Sequence, residues 1–288
     1  MSKKGIILAG GLGTRLFPLT RSVSKQLLPI YDKPMIYYPL SVLMKAGIKD
    51  VMVIATSEDV DRFQRLLGDG KSLGMTIGYT VQKAPTGLAS AFILTQEFIG
   101  KDPVTLILGD NIFSGAQLDV LLTTIDFSTP GATVFAIEVD DPSKYGVVEK
   151  GATGKVVKLL EKPEVPPSNL AVTGLYFYDN QVVEIAKSLK PSSRGELEIT
   201  DLNNVYLQNH QLNVVILDKT VTWYDTGSFD TLLIASNFVK NEQERTGKLV
   251  GSIELIAYQN GWIGKPELEH LEFIFQSSGY GQKICVPS

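Results

Sequence analysis

Between Gly5 and Asn111 apolar runs alternate with stretches whose apolar residues recur at helical spacing, and this alternation constrains the fold more than any other feature. "GIILAG" reads as a buried strand, and "PMIYYPLSVLMKAG" carries helical spacing that ends at Gly47. "DVMVIA" is a second strand, and "DVDRFQRLLGDG" a helix with aspartate at its start and glycine at its stop. "MTIGYTVQ" reads as a third strand, "GLASAFILTQEFIG" as a third helix and "PVTLILGDN" as a fourth strand. Strands that alternate with helices require crossover connections, which build a mostly parallel sheet with helices on both faces. From Ala132 the pattern changes, because "ATVFAIEV", "YGVVEK", "GKVVKLLEKP" and "AVTGLYFYD" are strands in succession, a mixed or antiparallel arrangement. After Asp225, "SFDTLLIASNFVKNEQERTG" is a long helical pattern, and the remainder stays largely helical. The expected class is α/β: a Rossmann-like mixed, mostly parallel sheet flanked by helices. Residues 1–225 would form its core and residues 226–288 a helical C-terminal extension.

The bulk numbers narrow the partners. At 288 residues with 44% hydrophobic and 20% charged side chains, one large core is within reach. No apolar run approaches the ~18 residues of a membrane span, and the apolar patch after "MSKK" is too short for a secretion signal. A lone Cys285 excludes an internal disulfide framework and a cysteine metal cage. The expectation is a reduced, cytoplasmic location with no membrane partner. A net charge of −4 without a basic run argues against nucleic acid. It leaves room for an anion site in which positive charge is gathered locally.

Ligands of open α/β sheets bind beyond the carboxyl ends of the strands. That rule selects Gly10–Arg15, Gln82, Gly109–Asn111, Glu161–Lys162 and Asp225. The turn "AGGLGTR" lacks the third glycine of a dinucleotide fingerprint, where Leu16 stands, and has no Gly-Lys-Ser/Thr triplet. Gly10, Gly11, Gly13 and Thr14 can nevertheless turn backbone N–H groups toward an anion, and Arg15 adds a planar guanidinium suited to phosphate oxygens. Lys25 follows between Pro18 and Pro29, which stiffen its segment. His210 and His270 stand alone in polar stretches and read as surface residues.

The stretch "GIILAGGLGTRLFPLTRSVSKQLLPIYDKPMIYYPL" resembles the sugar-1-phosphate nucleotidyltransferases and, within them, the glucose-1-phosphate thymidylyltransferases. "LGDNIF", "YGVVE", "EKP", "SNLAVTGLYFYD", "RGELEITD" and "WYDTG" extend the resemblance from Gly5 to about Ile263. It implies attack by a sugar phosphate on a nucleoside triphosphate, here glucose 1-phosphate on dTTP, giving dTDP-glucose and pyrophosphate. The product would feed deoxysugar (dTDP-rhamnose type) and surface-polysaccharide precursor synthesis. The resemblance also implies a homotetramer.

Under that resemblance Arg15 and Lys25 clasp the triphosphate, while Asp110 and Asp225 hold Mg²⁺, which favours a few carboxylates plus substrate phosphates. Asn111 helps place metal or sugar. Gln26 and Gln82 fill base-reading positions, since an amide offers the donor and acceptor that a thymine edge requires. Gly87 lets the backbone approach the ring closely. Glu161 serves sugar hydroxyls and Lys162 the sugar phosphate, with Tyr145, Gly146 and Val172 around the sugar and Arg194 a further phosphate contact. Two other readings stay open: the same chemistry with UTP, and a non-catalytic sugar-nucleotide sensor, although a sensor is expected to lose some of these charges. The chain departs from the family at "IFSGAQL" after Asn111 and at its "KICVPS" tail. Both departures bear on the family's feedback site and leave the catalytic set intact.

Overall fold

The computed structural model of the protein describes residues 2–125 and 129–284, so Cys285 lies outside the described residues. Strand β1 (Lys4–Ala9) and the short β2 (Pro29–Ile30) and β3 (Lys33–Pro34) precede helix α1 (Tyr37–Lys45). Then come β4 (Asp50–Ala55), α2 (Val60–Leu67), β5 (Thr76–Val81), α3 (Ser90–Leu94) and α4 (Gln96–Ile99). β6 (Val104–Leu108), β7 (Asn111–Ser114) and α5 (Ala116–Thr124) lead to β8 (Ala132–Glu138), β9 (Gly146–Lys150), β10 (Val156–Glu161) and β11 (Leu170–Tyr178). α6 (Val182–Ser188), α7 (Ile199–Gln208), β12 (Leu212–Ile216) and β13 (Thr222–Asp225) follow. The chain closes with α8 (Phe229–Thr246), α9 (Ile253–Gln259) and α10 (Lys265–Phe275).

The central sheet runs β10-β9-β11-β6-β1-β4-β5, and β11 also carries β8, which pairs with β12. β1 is parallel to β4 and β6, β4 to β5, and β8 to β12. β11 is antiparallel to β6, β8 and β9, and β10 to β9. All strands of this sheet but β10 and β11 therefore share one direction, and the sheet is mixed and mostly parallel.

Successive residues of a strand face opposite sides, and here both sides are covered. Ile7, Val53 and Ile107 pack on one face with residues of α1, α2 and α5, whereas Ile6, Ile54 and Leu106 pack on the other with Phe92, Val182 and Leu202. Burial on both faces is why the central strands read as continuous apolar runs. Each such side chain stabilises the fold by about 1.5–3 kcal/mol relative to exposure. The C-terminal helices join the first face: Ile253, Ile256 and Ala257 of α9 and Leu268 and Leu271 of α10 share its cluster with α1.

One expected element is divided. The stretch read as a third helix forms α3 and α4, with Thr95 between them at φ −105°. The Thr95 hydroxyl donates to the Ala91 carbonyl at 2.7 Å, a local bond that competes with the regular helical ladder. Among the described residues no helix is long and apolar enough to cross a membrane.

Candidate active site

The turn after β1 folds on its glycines. Gly13 has φ +62°, the left-handed region that glycine enters at little cost. Its carbonyl accepts a 2.8 Å hydrogen bond from Thr20, which closes the loop. Gly10 is buried so closely under Gln82 that an added Cβ would sit 2.7 Å from the amide oxygen. Arg15, in the 3₁₀ turn Thr14–Leu16, is exposed and lies against Gly227, where a Cβ would meet the guanidinium at 3.0–3.2 Å. Gly227, the last residue of "WYDTG", thus belongs to the same locality through a close approach to Arg15.

Lys25, Asp110 and Asp225 meet at the carboxyl edge of the sheet. The Lys25 side chain is buried, with Nζ 2.6 Å from Asp110 Oδ2 and 3.9 Å from Asp225 Oδ1. β13 pairs antiparallel with β7, setting Asp225 opposite Asn111. Thr226 then donates its N–H (3.2 Å) and its hydroxyl (2.8 Å) to the Asp110 carbonyl. Two aspartates far apart in sequence are thereby fixed side by side. The Asp225 carboxyl is pushed above the usual range, chiefly by burial and then by the Asp110 charge, with Lys25, Arg15 and Lys162 opposing. Among the described residues no group of three or more His, Cys, Asp or Glu side chains is placed to hold a metal ion. A hard cation between these two carboxylates would complete its shell with phosphate oxygens and water.

Asn111, expected to help place metal or sugar, is held by three neighbours. It is 1% exposed; its Oδ1 accepts from Trp223 Nε1 at 2.6 Å and from the Gly174 N–H at 3.1 Å, and its Nδ2 donates to Asp110 Oδ1 at 3.0 Å. The pairing of β11 with β8 is interrupted between Val172 and Tyr176, which frees the Gly174 amide for this bond. A Cβ on Gly174 would stand 2.5 Å from the Asn111 oxygen. Asn111 therefore aims Asp110 and anchors Trp223, whose ring packs edge-on against Tyr145 at 5.1 Å.

On the far side lies a second polar cluster. Glu161, at the end of β10, accepts from Thr200 Oγ1 at 2.5 Å and from Arg194 Nη2 at 3.1 Å. Arg194 also pairs with Glu198 at 2.9 Å. Lys162 follows at φ +44°, with its N–H on the Tyr145 carbonyl at 3.0 Å and its ammonium 3.6 Å from Glu161. Gly146 faces Thr200, Val172 and Glu161, each within 4 Å of a Cβ built there. Thr200, Glu198 and Trp223 were not singled out by the sequence reading. Each works through side chains that were, and only the tertiary fold brings them there.

The two glutamines occupy different cavities on either side of the glycine loop. An inner cavity of about 170 Å³ is lined by Gly11, Thr14, Arg15, Lys25, Gln26 and Asp110. An outer one of about 320 Å³ is lined by Gly10, Gln82, Lys83 and Pro85, with Ser24 and Asp59. Gln26 is buried and its Oε1 accepts from Ser24 at 2.7 Å, which leaves its NH₂ as the group to offer a ligand. Gln82 is half-buried and donates to Ser90 at 3.2 Å. Gly87, at φ +94°, lies against Leu197, whose backbone would stand 2.4 Å from a Cβ there, so chain packing already requires that glycine. A larger cavity of about 510 Å³, lined by Tyr178, His210 and Leu212 among others, contains none of the candidate residues. His210 and His270 are exposed.

The chain is similar to known proteins in sequence and in fold. The sequence profile of the family described as nucleotidyl transferase matches residues 4–242. A glucose-1-phosphate thymidylyltransferase of Neisseria meningitidis serogroup A is 54% identical over 281 residues, 98% of each chain. Among solved structures, a Bacillus anthracis protein assigned as a glucose-1-phosphate thymidylyltransferase, in complex with sucrose, superposes with a TM-score of 0.76 at 40% identity, covering 82% of this chain and 95% of its own. A UDP-glucose pyrophosphorylase complexed with UDP-glucose superposes with a TM-score of 0.71 at 27% identity, covering 84% of this chain and 100% of its own. With a profile match across most of its length and a relative 54% identical over nearly the whole of both chains, the chain belongs to the nucleotidyl transferase family.

Proposed function

We propose that the protein transfers a deoxythymidylyl group from dTTP to glucose 1-phosphate, giving dTDP-glucose and pyrophosphate. The observation that carries the reading is the buried Lys25 ammonium between Asp110 and Asp225, beside a glycine turn bearing an exposed Arg15. A phosphate oxygen of the sugar attacks the α-phosphorus of the nucleotide. The bond from that phosphorus to the bridging oxygen breaks, and the electron pair leaves with pyrophosphate. Such a transfer needs in-line positioning and charge neutralisation more than covalent help.

Gly10, Gly11, Gly13 and Thr14 would offer backbone N–H groups to the triphosphate, and Arg15 and Lys25 would meet the charge that grows on the leaving group. Asp110 and Asp225 fit a divalent cation, because they set two oxygen-donor carboxylates side by side next to the glycine turn, where burial first and the Asp110 charge second push the Asp225 carboxyl up. Mg²⁺ bound there would neutralise phosphate charge and help align the reacting groups. In the outer cavity Gln82 would read the pyrimidine edge, and from the inner one Gln26 would donate to the nucleotide. Glu161 would receive sugar hydroxyls, with Lys162 and Arg194 on the sugar phosphate and Tyr145, Gly146 and Val172 shaping the walls, while Gly87 would lie beside the base of the nucleotide. The 54% relative favours thymidylyl over uridylyl transfer, since the similarity to UDP-glucose pyrophosphorylase is half as great. Homotetramer formation, a cytoplasmic location and a division of the chain at Asp225 belong to the same proposal.

Pyrophosphate release measured over a grid of dTTP, UTP, ATP and GTP against glucose 1-phosphate and other sugar phosphates tests the reading. The dTTP and glucose 1-phosphate pair should be fastest and should stop in excess chelator. Purine nucleotides reacting as well as dTTP would overturn the thymidylyl assignment.

A further inference from the structure

A buried charged cluster lies outside this site, at the tip of the β2–β3 hairpin. Lys33 is 3% exposed, and its ammonium reaches Asp32 at 2.5 Å, the Tyr38 hydroxyl at 3.3 Å and Gln243 Oε1 at 3.4 Å. Gln243, on α8, returns a 2.8 Å bond from Nε2 to the other Asp32 oxygen. The rings of Tyr38 and Tyr280 flank the ammonium at 4.9 and 5.3 Å. Tyr280 in turn donates to the buried Glu254, which Ser252 also binds.

Both arms that meet at this cluster lead to the active site. The hairpin continues the Lys25 segment and is tied to it by bonds from the Met35 N–H to the Leu28 carbonyl and from the Ile36 N–H to the Gln26 carbonyl, each 2.9 Å. α8 starts just past Asp225 and Gly227, and Gln243 lies 15 positions beyond Ser228, roughly 22 Å along the helix. Between the two ends the arms share an apolar seam: Ile30, Met35 and Tyr38 with Ala235 and Val239, continued by Ile112 and Tyr224 of the ribbon that holds Asp225. Apolar contact is non-directional and tolerates sliding, whereas a closed ring of hydrogen bonds permits one register.

We propose that Asp32, Lys33 and Gln243 form a clamp that fixes the register of the hairpin against α8, making Lys33 a positioning residue for the Lys25–Asp225 pair. The inference rests on the nucleotidyl-transfer reading for its kinetic measurement only.

The test pairs the double variant Asp32→Asn/Lys33→Met, which removes both charges at similar volume, with Gln243→Met, which keeps both charges and removes the bridge together with the bond that Gln243 accepts from the Val250 N–H at 3.0 Å. Tyr206→Phe, which loses a buried hydrogen bond to Asp179 in the other cluster, serves as the control for general destabilisation. Well below the melting temperature, the clamp variants should lose about tenfold or more in kcat while the KM for glucose 1-phosphate stays unchanged. Amide hydrogen exchange in residues 25–36 should be about tenfold faster than in the unmutated protein, and in the control it should not change. Exchange needs no substrate, so it judges the clamp even if the unmutated protein releases no pyrophosphate and the functional reading fails. Unchanged exchange in residues 25–36, or unchanged kcat, in both clamp variants overturns the proposal.

Discussion

The two sides of the site hold their lysines in opposite ways. On the nucleotide side the Lys25 side chain is 6% exposed and in direct contact with Asp110; on the sugar side the Lys162 side chain is 48% exposed and 3.6 Å from Glu161. Charge acts more strongly where water is excluded and is screened where it is not. The neighbours differ as well. Lys25 faces two aspartates, and burial first, then the Asp110 charge, raises the Asp225 pKa. Glu161 is already satisfied by Thr200 and Arg194. A buried lysine facing two partly buried carboxylates suits charge that must be met during reaction, and an exposed, balanced cluster suits a substrate that must arrive and leave.

The largest effect should fall on the buried side. Asp110→Asn and Asp225→Asn should each lower kcat by about 10²–10³-fold, the range seen when one preorganised electrostatic partner of a transition state is removed. Steady-state pyrophosphate release reads this directly, and chelation of divalent cations should do the same to the unmutated protein. An equal loss of kcat from Glu161→Gln would erase the contrast between the sides.

A smaller effect separates the cations. Arg15→Ala should act chiefly on kcat, because it meets charge that develops in the reaction. Lys162→Ala should chiefly raise the KM for glucose 1-phosphate, by roughly 10- to 150-fold if it loses a charged hydrogen bond of about 1.5–3 kcal/mol. A Lys162 variant that weakens dTTP and the sugar phosphate equally would place that ammonium between the two sides.

The same contrast explains what the sequence could reveal. The nucleotide side was legible because Gly10 to Gln26 are nearly contiguous and follow a strand whose apolar run is unmistakable. The α/β class followed from periodicity alone, since β1, β4, β5 and β6 alternate with helical spacing. The ribbon of β7 and β13 was not legible, because two four-residue strands more than a hundred positions apart carry no local period. The partners of Asn111 were hidden for the same reason: the resemblance has it helping to place metal or sugar, and Trp223 and Gly174 donate to its oxygen only once the ribbon has formed. Gly174 and Gly227 fall within "SNLAVTGLYFYD" and "WYDTG", but only a neighbour's close approach shows why no side chain fits there. The Thr95 break was hidden because threonine is not by itself a helix stop.

Base reading should yield a smaller change still. Gln82→Ala should narrow the preference for dTTP over ATP and GTP, mainly by weakening dTTP, since a mispaired base leaves buried amide groups unsatisfied. Gln26→Ala, in the inner cavity beside Lys25, should leave that preference unaltered and lower the rate with every nucleotide. Discrimination between dTTP and UTP should be modest in the unmutated protein, because one methyl in an apolar pocket is worth about 1–3 kcal/mol. Nucleotide competition assays on the two variants decide it, and a Gln26 change that alters base preference would merge the two cavities into one reading site.

The smallest effect concerns stability, and its sign is the informative part. The Asp225 carboxyl is raised in the fold, with burial first among the causes, so the native state holds that proton more tightly than the unfolded chain. This contribution to stability is greatest while the group is protonated, declines as pH rises from the ordinary aspartate range through the raised value, and stays lower above it. Asp225→Asn removes the charge and with it that decline. Lys25 keeps its 2.6 Å contact with Asp110, so the substitution leaves no buried ammonium without a partner. Without divalent cations at pH 7 the variant should therefore melt at or slightly above the unmutated protein, by no more than a few degrees. Adding Mg²⁺ should raise the melting temperature of the unmutated protein, because a ligand that binds only the folded state stabilises it, and should do little for the variant. Glu161→Gln should behave in the opposite way, since it weakens bonds from Arg194 and Thr200 and relieves no comparable repulsion. Thermal melts of both variants across pH, with and without Mg²⁺, compare the two sides directly. A drop for Asp225→Asn as large as that for Glu161→Gln would mean that the aspartate pair holds the fold together rather than straining it to hold a cation.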